Sequence, residues 1–586
     1  MTVRGPSGMT IDRLCQIVGY RLSDEQLAAV TADLDQPLRI VAGAGSGKTS
    51  VMAARVVWAV GRGHVRAGEV LGLTFTTKAA AELGARIRRM LGFLHDGDDL
   101  EDGGNGEPLV TTYHSFAHQL VSEQGLRIGV EPGARLLADN ETALLAYRVL
   151  TNTDLPLAGL ASGPAALVAD VVALDQQLAE HVVTTQTLRD HDRRLIEAID
   201  ALPKSVAADR KAREAATLRL QLANAVDELR ASKAAADVVD FADLLRFGVQ
   251  IAELAHVGAM ERDRWPMVLL DEYHDTSVVQ SRMLAGLFGG GHPVTAVGDP
   301  LQGIYGWRGA SADGMDAFAT SFCRTDGDPA RTCQLSISHR SGPRILENAN
   351  RVAAPLRDAH PAVARLEPAL LDGGGTRPDG LVAALFATQR EEVEWVADRV
   401  AEQIEAGTEP GQIAILCRTS ASFPDLADEL DARGVPSQVS TLDGLFAQPE
   451  IIDIISVLQV LHDPSANPAA LRVLLGPRWR IGKRDLAILG RRSAEIVRLG
   501  GGAGQPEVDV HSTLEQRLAQ ALAGNDPVDI GSLIEAVEDP GSEQRYQFSS
   551  QARERFGQLT AELDGLRSMI GQPLPDLVSR LSLIHI

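Results

Sequence analysis

Four cysteines in 586 residues, at positions 15, 323, 333 and 417, form no close pair. That excludes a disulfide framework and a zinc site built on paired thiolates. Aromatic residues make up only 4% of the chain, so each Trp or Tyr beside a polar loop is worth examining. No apolar run is long enough to cross a bilayer, and no apolar leader opens the chain. Those absences give a reducing, cytoplasmic protein as the expectation. A basic surplus is missing too: the net charge of −22 argues against a general nucleic-acid coat and leaves room only for a local basic groove. Candidate basic patches are residues 478–492 and the smaller cluster Arg86, Arg88 and Arg89. A solvated helix face is the plain alternative for both.

What is present is a phosphate-binding loop. Ala42, Gly43, Ala44, Gly45, Ser46, Gly47, Lys48 and Thr49 follow the apolar run Leu38–Val41 and lead into a helical stretch, Thr49–Val60, whose second residue, Ser50, also belongs to the expected nucleotide site. Glycines let the backbone curl so that N–H groups face phosphate oxygens. Lys48 would reach the β- and γ-phosphates, and the Thr49 hydroxyl would hold Mg²⁺. The helix would turn its positive end toward the anion. A second nucleotide element, the apolar strand ending in Asp271-Glu272, lies about 220 residues farther on. Asp271 would bind Mg²⁺, and Glu272 would orient the attacking water.

Strand signals occur at Leu38–Val41, Val70–Phe75, Leu109–Thr112, Met267–Leu270, Val294–Val297, Leu381–Phe386 and Ile413–Cys417, separated by helical stretches. Residues 138–236 are rich in Ala, Leu, Gln and charge, with helical periodicity. Loops are expected at 96–108, at 500–505 and around Asp539-Pro540-Gly541. The expected fold class is α/β: a P-loop NTPase with two RecA-like lobes and helical insertions. The expected divisions are 1–115 and 237–330 for the first lobe, 116–236 for its insertion, 331–442 for the second lobe and 443–586 for a further helical subdomain.

Seven or so motifs in fixed order carry a resemblance to a family. They are Leu22-Ser23-Asp24-Glu25-Gln26, the phosphate loop, Thr74-Phe75-Thr76-Thr77-Lys78 and Thr112-Tyr113-His114-Ser115-Phe116. Val239-Asp240-Phe241 follows, then Asp271-Glu272-Tyr273-His274-Asp275, Gly298-Asp299-Pro300-Leu301-Gln302 with Tyr305-Gly306-Trp307-Arg308, and Ser338-His339-Arg340. Together these resemble the superfamily 1 DNA helicases of the UvrD/Rep/PcrA type. The resemblance implies that Gln26 reads adenine and that His339 stands where a tyrosine usually stacks on it. It implies that Gln302 senses the γ-phosphate and that Arg340 acts as an arginine finger. It places Phe75, Thr76, Lys78, His114, Tyr305, Trp307 and Arg308 on single-stranded DNA, and Lys483, in a phosphate-contacting turn, on the duplex. It implies ATP and Mg²⁺ as cofactors, and single-stranded DNA and single/double-strand junctions as partners, with no membrane.

Three departures stand out. His274 replaces the usual Gln of the acidic element, Ser338-His339 replaces Asn-Tyr, and the two last motifs of the family are not found before Ile586. A C-terminally truncated chain is therefore expected. The opening segment, Arg13 to Gln26, is also similar to AdnB-type helicase–nuclease subunits of actinobacteria, which implies a heterodimer with a second helicase-like subunit. The function expected is an ATP-dependent DNA helicase or translocase, 3′ to 5′, in repair or recombination. The alternative is a non-motor ATP- and DNA-binding subunit, or an inactive fragment of a helicase–nuclease complex.

Overall fold

The computed structural model describes residues 9–94, 106–152, 164–204, 206–311, 313–371, 375–439, 446, 448–500 and 531–585. The chain divides into two compact units, Met1–Ala383 and Ala384–Ile586.

The first unit is built on six parallel strands: β1 (Leu38–Ala42), β2 (Val70–Thr74), β3 (Leu109–Thr112), β6 (Met267–Leu270), β7 (Val294–Gly298) and β8 (Arg331–Leu335), in the order β3-β2-β6-β7-β1-β8. Parallel strands carry helices on both faces, so both sets of alternating side chains must be apolar. They are. Leu38, Ile40, Ala42, Val70, Met267, Leu269 and Val297 enter one core, while Val41, Leu71, Leu73, Val268, Leu270, Val294 and Ala296 enter the other. Against the first face pack α1 (Ile11–Val18), α2 (Asp24–Val30), α3 (Lys48–Gly61) and α4 (Thr77–Gly92). Against the second pack α5 (Tyr113–Gln124), α10 (Phe241–Ala252), α11 (Ala255–Arg264), α12 (Val278–Phe288) and α13 (Gly314–Ser321).

Between α5 and α10 the chain leaves the sheet as α6 (Asp139–Asn152), α7 (Pro164–Glu180), α8 (Thr185–Asp200) and α9 (Ala207–Ala235), as the composition of 138–236 leads one to expect. The short strands β4 (Arg135–Leu136) and β5 (Val238–Val239) pair where it leaves and returns. At that neck Lys233 is buried among Asp175, Asp240 and Asp243, at 2.9, 2.8 and 2.7 Å. Burial opposes the Lys233 charge, yet the three carboxylates outweigh it and hold the ammonium above its ordinary range.

Beyond β8, the short pair β9 (Ile337–Ser338) and β10 (Glu367–Pro368) brackets α14 (Pro343–Val352) and α15 (Ala354–Ala359). The second unit holds α16 (Gln389–Glu405) and α17 (Phe423–Ala432) over a small core. It continues as α18 (Pro449–His462), α19 (Asn467–Leu475), α20 (Lys483–Gly500), α21 (Leu533–Glu538), α22 (Ser550–Arg567) and α23 (Leu574–His585) over a larger one.

Two expectations need correction. Arg331–Leu335, taken as the start of a second lobe, is the edge strand of the first sheet. Leu381–Phe386 and Ile413–Cys417 form no ladder among the described residues, and Leu385 and Leu416 are 98% and 94% exposed. Their apolar pattern suits a buried parallel strand, but pairing depends on neighbours from distant chain and is not a property of the segment. Most of the loop expected at 96–108, and 501–505 of the loop expected at 500–505, lie outside the described residues.

Candidate functional site

Every loop that follows a strand of the main sheet at its carboxyl end carries one of the sequence motifs. Phe75 follows β2, His114 follows β3, Asp271-Glu272 follows β6, Asp299–Gln302 follows β7, and Ser336–Arg340 follows β8. The phosphate loop follows β1, which has β7 and β8 on its two sides. Crevices at the carboxyl ends of such strands are where open α/β sheets take ligands.

Ala42 closes β1, and the loop turns on two left-handed glycines, Gly45 (φ +78°) and Gly47 (φ +88°). The loop is braced from within and behind: Ser46 Oγ donates to Gly43 O at 2.8 Å, and Gly43 N donates to Leu335 O at 3.1 Å. Helix α3 starts at Lys48, so the amides of Lys48, Thr49 and Ser50 have no carbonyl one turn earlier to bind. That cradle suits a triphosphate. Lys48 Nζ lies 2.7 Å from Glu272 Oε2. Ser50 Oγ takes a 2.5 Å hydrogen bond from Arg86, which draws one of the basic cluster into the site.

Asp271 is buried, its amide donating to Leu73 O at 2.8 Å and its carboxylate accepting from Glu272 N at 3.0 Å. Burial, and then the Glu272 charge, push its carboxyl up to about 6. Glu272 sits at φ +46°, in a region that costs a non-glycine residue free energy. A buried carboxylate raised by burial and by the neighbouring Glu272 charge, beside a phosphate cradle, fits a divalent cation. Magnesium needs only one or two protein oxygens beside the phosphates. Asp271 and Thr49 are the residues here that would supply them.

His274 is buried on the same turn. Its Nδ1 accepts the amide of Asp299 at 3.1 Å, so the ring proton belongs on Nε2, which faces Asp275 at 3.6 Å. Burial lowers its basicity and keeps it neutral. Gln302 Nε2 donates to Asp299 Oδ2 at 2.6 Å. His274 thereby ties the turn after β6 to the turn after β7, joining Asp271-Glu272 to Gln302.

At the other side of the loop, Gln26 is buried. Its Oε1 accepts from Ser23 N in a capping box at 3.1 Å. Its Nε2 donates to Ser46 O at 2.9 Å and lies 3.5 Å from His339 Nε2. His339 N donates to Gly45 O at 2.9 Å. Packing leaves no room for a side chain at Gly45, because a Cβ there would come within 2.6 Å of both Arg340 Cβ and Ser338 Oγ. The Ser338 hydroxyl is buried and has no hydrogen-bond partner among the described residues. His339 and Arg340 are exposed.

Beside this cleft an aromatic surface forms. Phe75 and Tyr305 lie with ring centroids 4.5 Å apart, and Tyr305 and Trp307 6.2 Å apart, with Trp307 74% exposed. Thr76 caps α4 through Ala79 N at 3.1 Å, which leaves Lys78 exposed in the first turn. His114 packs edge-on against Phe241 at 5.6 Å. The Arg308 side chain lies outside the described residues. In the second unit, Lys483 is exposed at the start of α20. Part of the basic stretch around it is spent internally: Arg492 pairs with Glu495 at 2.9 Å and Asp539 at 2.5 Å, and Arg478 pairs with Glu562.

Sequence reasoning found these loops but missed their braces. Tyr113, inside a quoted motif, buries its hydroxyl against Asp271 O at 3.1 Å. Glu25, also inside one, binds Ser336. Arg55 is a buried cation in the helix after the phosphate loop. An arginine in an otherwise apolar helical stretch was the available signal for the last.

Comparison with known proteins finds two family matches along the chain. Residues 22–323 match the UvrD/REP helicase N-terminal domain, and residues 333–500 match the UvrD-like helicase C-terminal domain. Among similar proteins is the ATP-dependent DNA helicase UvrD2 of Mycobacterium tuberculosis, 30% identical over 78% of this chain and 61% of the relative. DNA helicase II of Haemophilus influenzae is 28% identical over 81% of this chain and 59% of its own length. The ATP-dependent DNA helicase UvrD1 of Mycobacterium tuberculosis is 28% identical over 94% of this chain and 67% of its own length. The chain thus spans about three fifths of the length of the first two relatives.

Proposed function

This chain belongs to the UvrD/REP helicase family, and from that membership we propose that it is an ATP-dependent DNA motor subunit acting in repair or recombination. It uses ATP hydrolysis to move along single-stranded DNA in the 3′ to 5′ direction. The observation that carries this reading is the convergence of the phosphate loop, Asp271-Glu272, Gln302 and Arg340 on loops at one edge of one sheet, beside the Phe75–Tyr305–Trp307 surface.

In this reading Gln26 recognises adenine, with His339 beside it, and the loop amides with Lys48 hold the phosphates. Thr49 and Asp271 would hold Mg²⁺, which would neutralise phosphate charge. Glu272, released from Lys48 as the phosphates take the lysine, orients water for in-line attack. Arg340 stabilises charge on the transferring phosphate, and Gln302 reports its loss through Asp299 to the aromatic surface. Bases stack on Phe75, Tyr305 and Trp307 without sequence preference, because every base has a π face. Thr76, Lys78 and His114 line the same strand, and the family resemblance adds Arg308 to it and assigns Lys483 to duplex phosphates. The similarity of the opening segment to AdnB-type subunits supports a heterodimer with a second helicase-like chain.

The test is ATP hydrolysis with and without single-stranded DNA, with Glu272→Gln alongside. DNA-stimulated turnover that disappears in the variant, with nucleotide binding retained, is the expected result. Nucleotide binding without turnover in the unaltered chain would favour a non-motor subunit. No nucleotide binding at all would remove both readings.

A further inference from the structure

Helix α2 is short, yet it carries Gln26 and is gripped at both ends. At its carboxyl end the buried Arg55 guanidinium donates to the carbonyls of Ala29, Val30, Ala32 and Asp33 at 3.1, 3.2, 2.8 and 2.7 Å. At its amino end Glu25 reaches across to Ser336. One carboxylate oxygen accepts the Ser336 amide at 2.7 Å and the other accepts its hydroxyl at 2.6 Å. Both oxygens of one carboxylate are spent on one residue, and charge-assisted bonds of this length fix position as well as adding strength.

Ser336 is not an arbitrary anchor. It stands at the exit of β8, three residues before His339 and four before Arg340. From there the chain is tied back to the phosphate loop by His339 N on Gly45 O, and to α2 by the approach of His339 to Gln26. Gln26 itself holds Ser46 O. The contacts close a ring: Glu25 to Ser336, along the backbone to His339, on to the phosphate loop, and back to Gln26, the residue beside Glu25. Nothing in phosphate binding requires Glu25, and its carboxylate faces the protein rather than the cradle.

We propose that Glu25 is a positioning residue of the nucleotide site, whose clamp on Ser336 fixes the distance between base-reading Gln26 and the His339-Arg340 segment. The proposal rests on the reading of Gln26 and Arg340 given above. With the clamp intact, Gln26 and the segment stand at one fixed separation, so a base that cannot satisfy Gln26 is not accommodated by a shift of the segment. With it broken, the phosphates are still held and the base no longer matters. Glu25 thereby makes the site specific for adenine nucleotides.

The experiment is displacement of a fluorescent ATP analogue from the full chain by ATP, GTP and ITP. It is run on the unaltered protein and on Glu25→Gln, Ser336→Ala and Gln26→Ala. Glu25→Gln keeps the shape but removes the charge, because its oxygen can still accept the Ser336 amide while its NH₂ donates to the reoriented hydroxyl, so two charge-assisted bonds become two neutral ones. Ser336→Ala keeps the backbone bond, so one variant remains informative if the other folds poorly. The expected result is a preference for ATP over ITP that falls about tenfold in Glu25→Gln and less in Ser336→Ala, with ITP affinity unchanged within about twofold. Glu25→Gln should add little to Gln26→Ala, because both act on the same contact. Equal weakening of ATP and ITP would mean a merely structural tether and would overturn the proposal, as would a preference that survives both changes. No displacement by any nucleotide from the unaltered chain would instead overturn the nucleotide-site reading, and this inference with it.

Discussion

Asp271 shows how one carboxylate can be set up by burial to need a cation. Its carboxyl is held at about 6 because it is buried beside Glu272, and Lys48 offsets this only in part. The sign follows directly. An acid with a raised pKa is neutral below that value, and it must lose its proton before it can hold Mg²⁺. Magnesium-dependent nucleotide binding should therefore strengthen as pH rises through about 6, and weaken by about tenfold per unit well below it. A titration of nucleotide affinity between pH 5 and 8 in the presence of Mg²⁺ checks this. Asp271→Asn should bind more weakly throughout and show no such slope. His274 carries a related lesson: the sequence marked it as a departure from the family pattern. Only its neighbours show that an imidazole can do the linking work of an amide, accepting Asp299 N at one nitrogen and facing Asp275 with the other.

At the scale of elements, helix α2 depends on a residue from another helix. Carbonyls at a helix end have no partner of their own, and here one buried guanidinium satisfies those of Ala29, Val30, Ala32 and Asp33 while its Nε donates to Thr295 Oγ1 on β7 at 3.0 Å. Burial pulls Arg55 down to about 10, still charged at neutral pH. Arg55→Met keeps the apolar packing and strands the carbonyls, so it should cost about 2–5 kcal/mol, read from urea midpoints at unchanged slope. Thr295→Val removes one of the five bonds and should cost about 1 kcal/mol. The helical insertion was legible as an element because its composition and periodicity change together near residue 138. Its attachment was not, because the Lys233 cluster gathers Asp175 from α7 with Asp240 and Asp243 at the start of α10.

For the whole molecule, net charge and function pull in opposite directions. At −22 the chain as a whole repels DNA. Under the proposed function, binding would come from local cations such as Lys78 and Lys483 together with stacking on Trp307. Each phosphate neutralised releases counterions, so affinity for single-stranded DNA should fall steeply with salt, linearly on logarithmic axes. Fluorescence titration over 50 to 300 mM salt tests it, and a flat profile would argue against a phosphate-tracking groove.

The sequence by itself determined the chemistry, because short motifs report what a loop must do locally. Glycines that permit positive φ, a lysine at the start of a helix and an acidic pair after an apolar strand are readable without neighbours. It also determined the core strands, whose two apolar faces leave no other place for them. Tertiary structure decided which strands pair. Arg331–Leu335 joined the first sheet, while Leu381–Phe386 and Ile413–Cys417, no less apolar, found no ladder among the described residues. It decided equally which polar residues serve the site from behind. Glu25 and Ser336 lie 311 positions apart, and Arg55 and Thr295 lie 240 apart. Hydrogen bonds across such separations depend on where the folded backbone brings each group, and no local pattern encodes that.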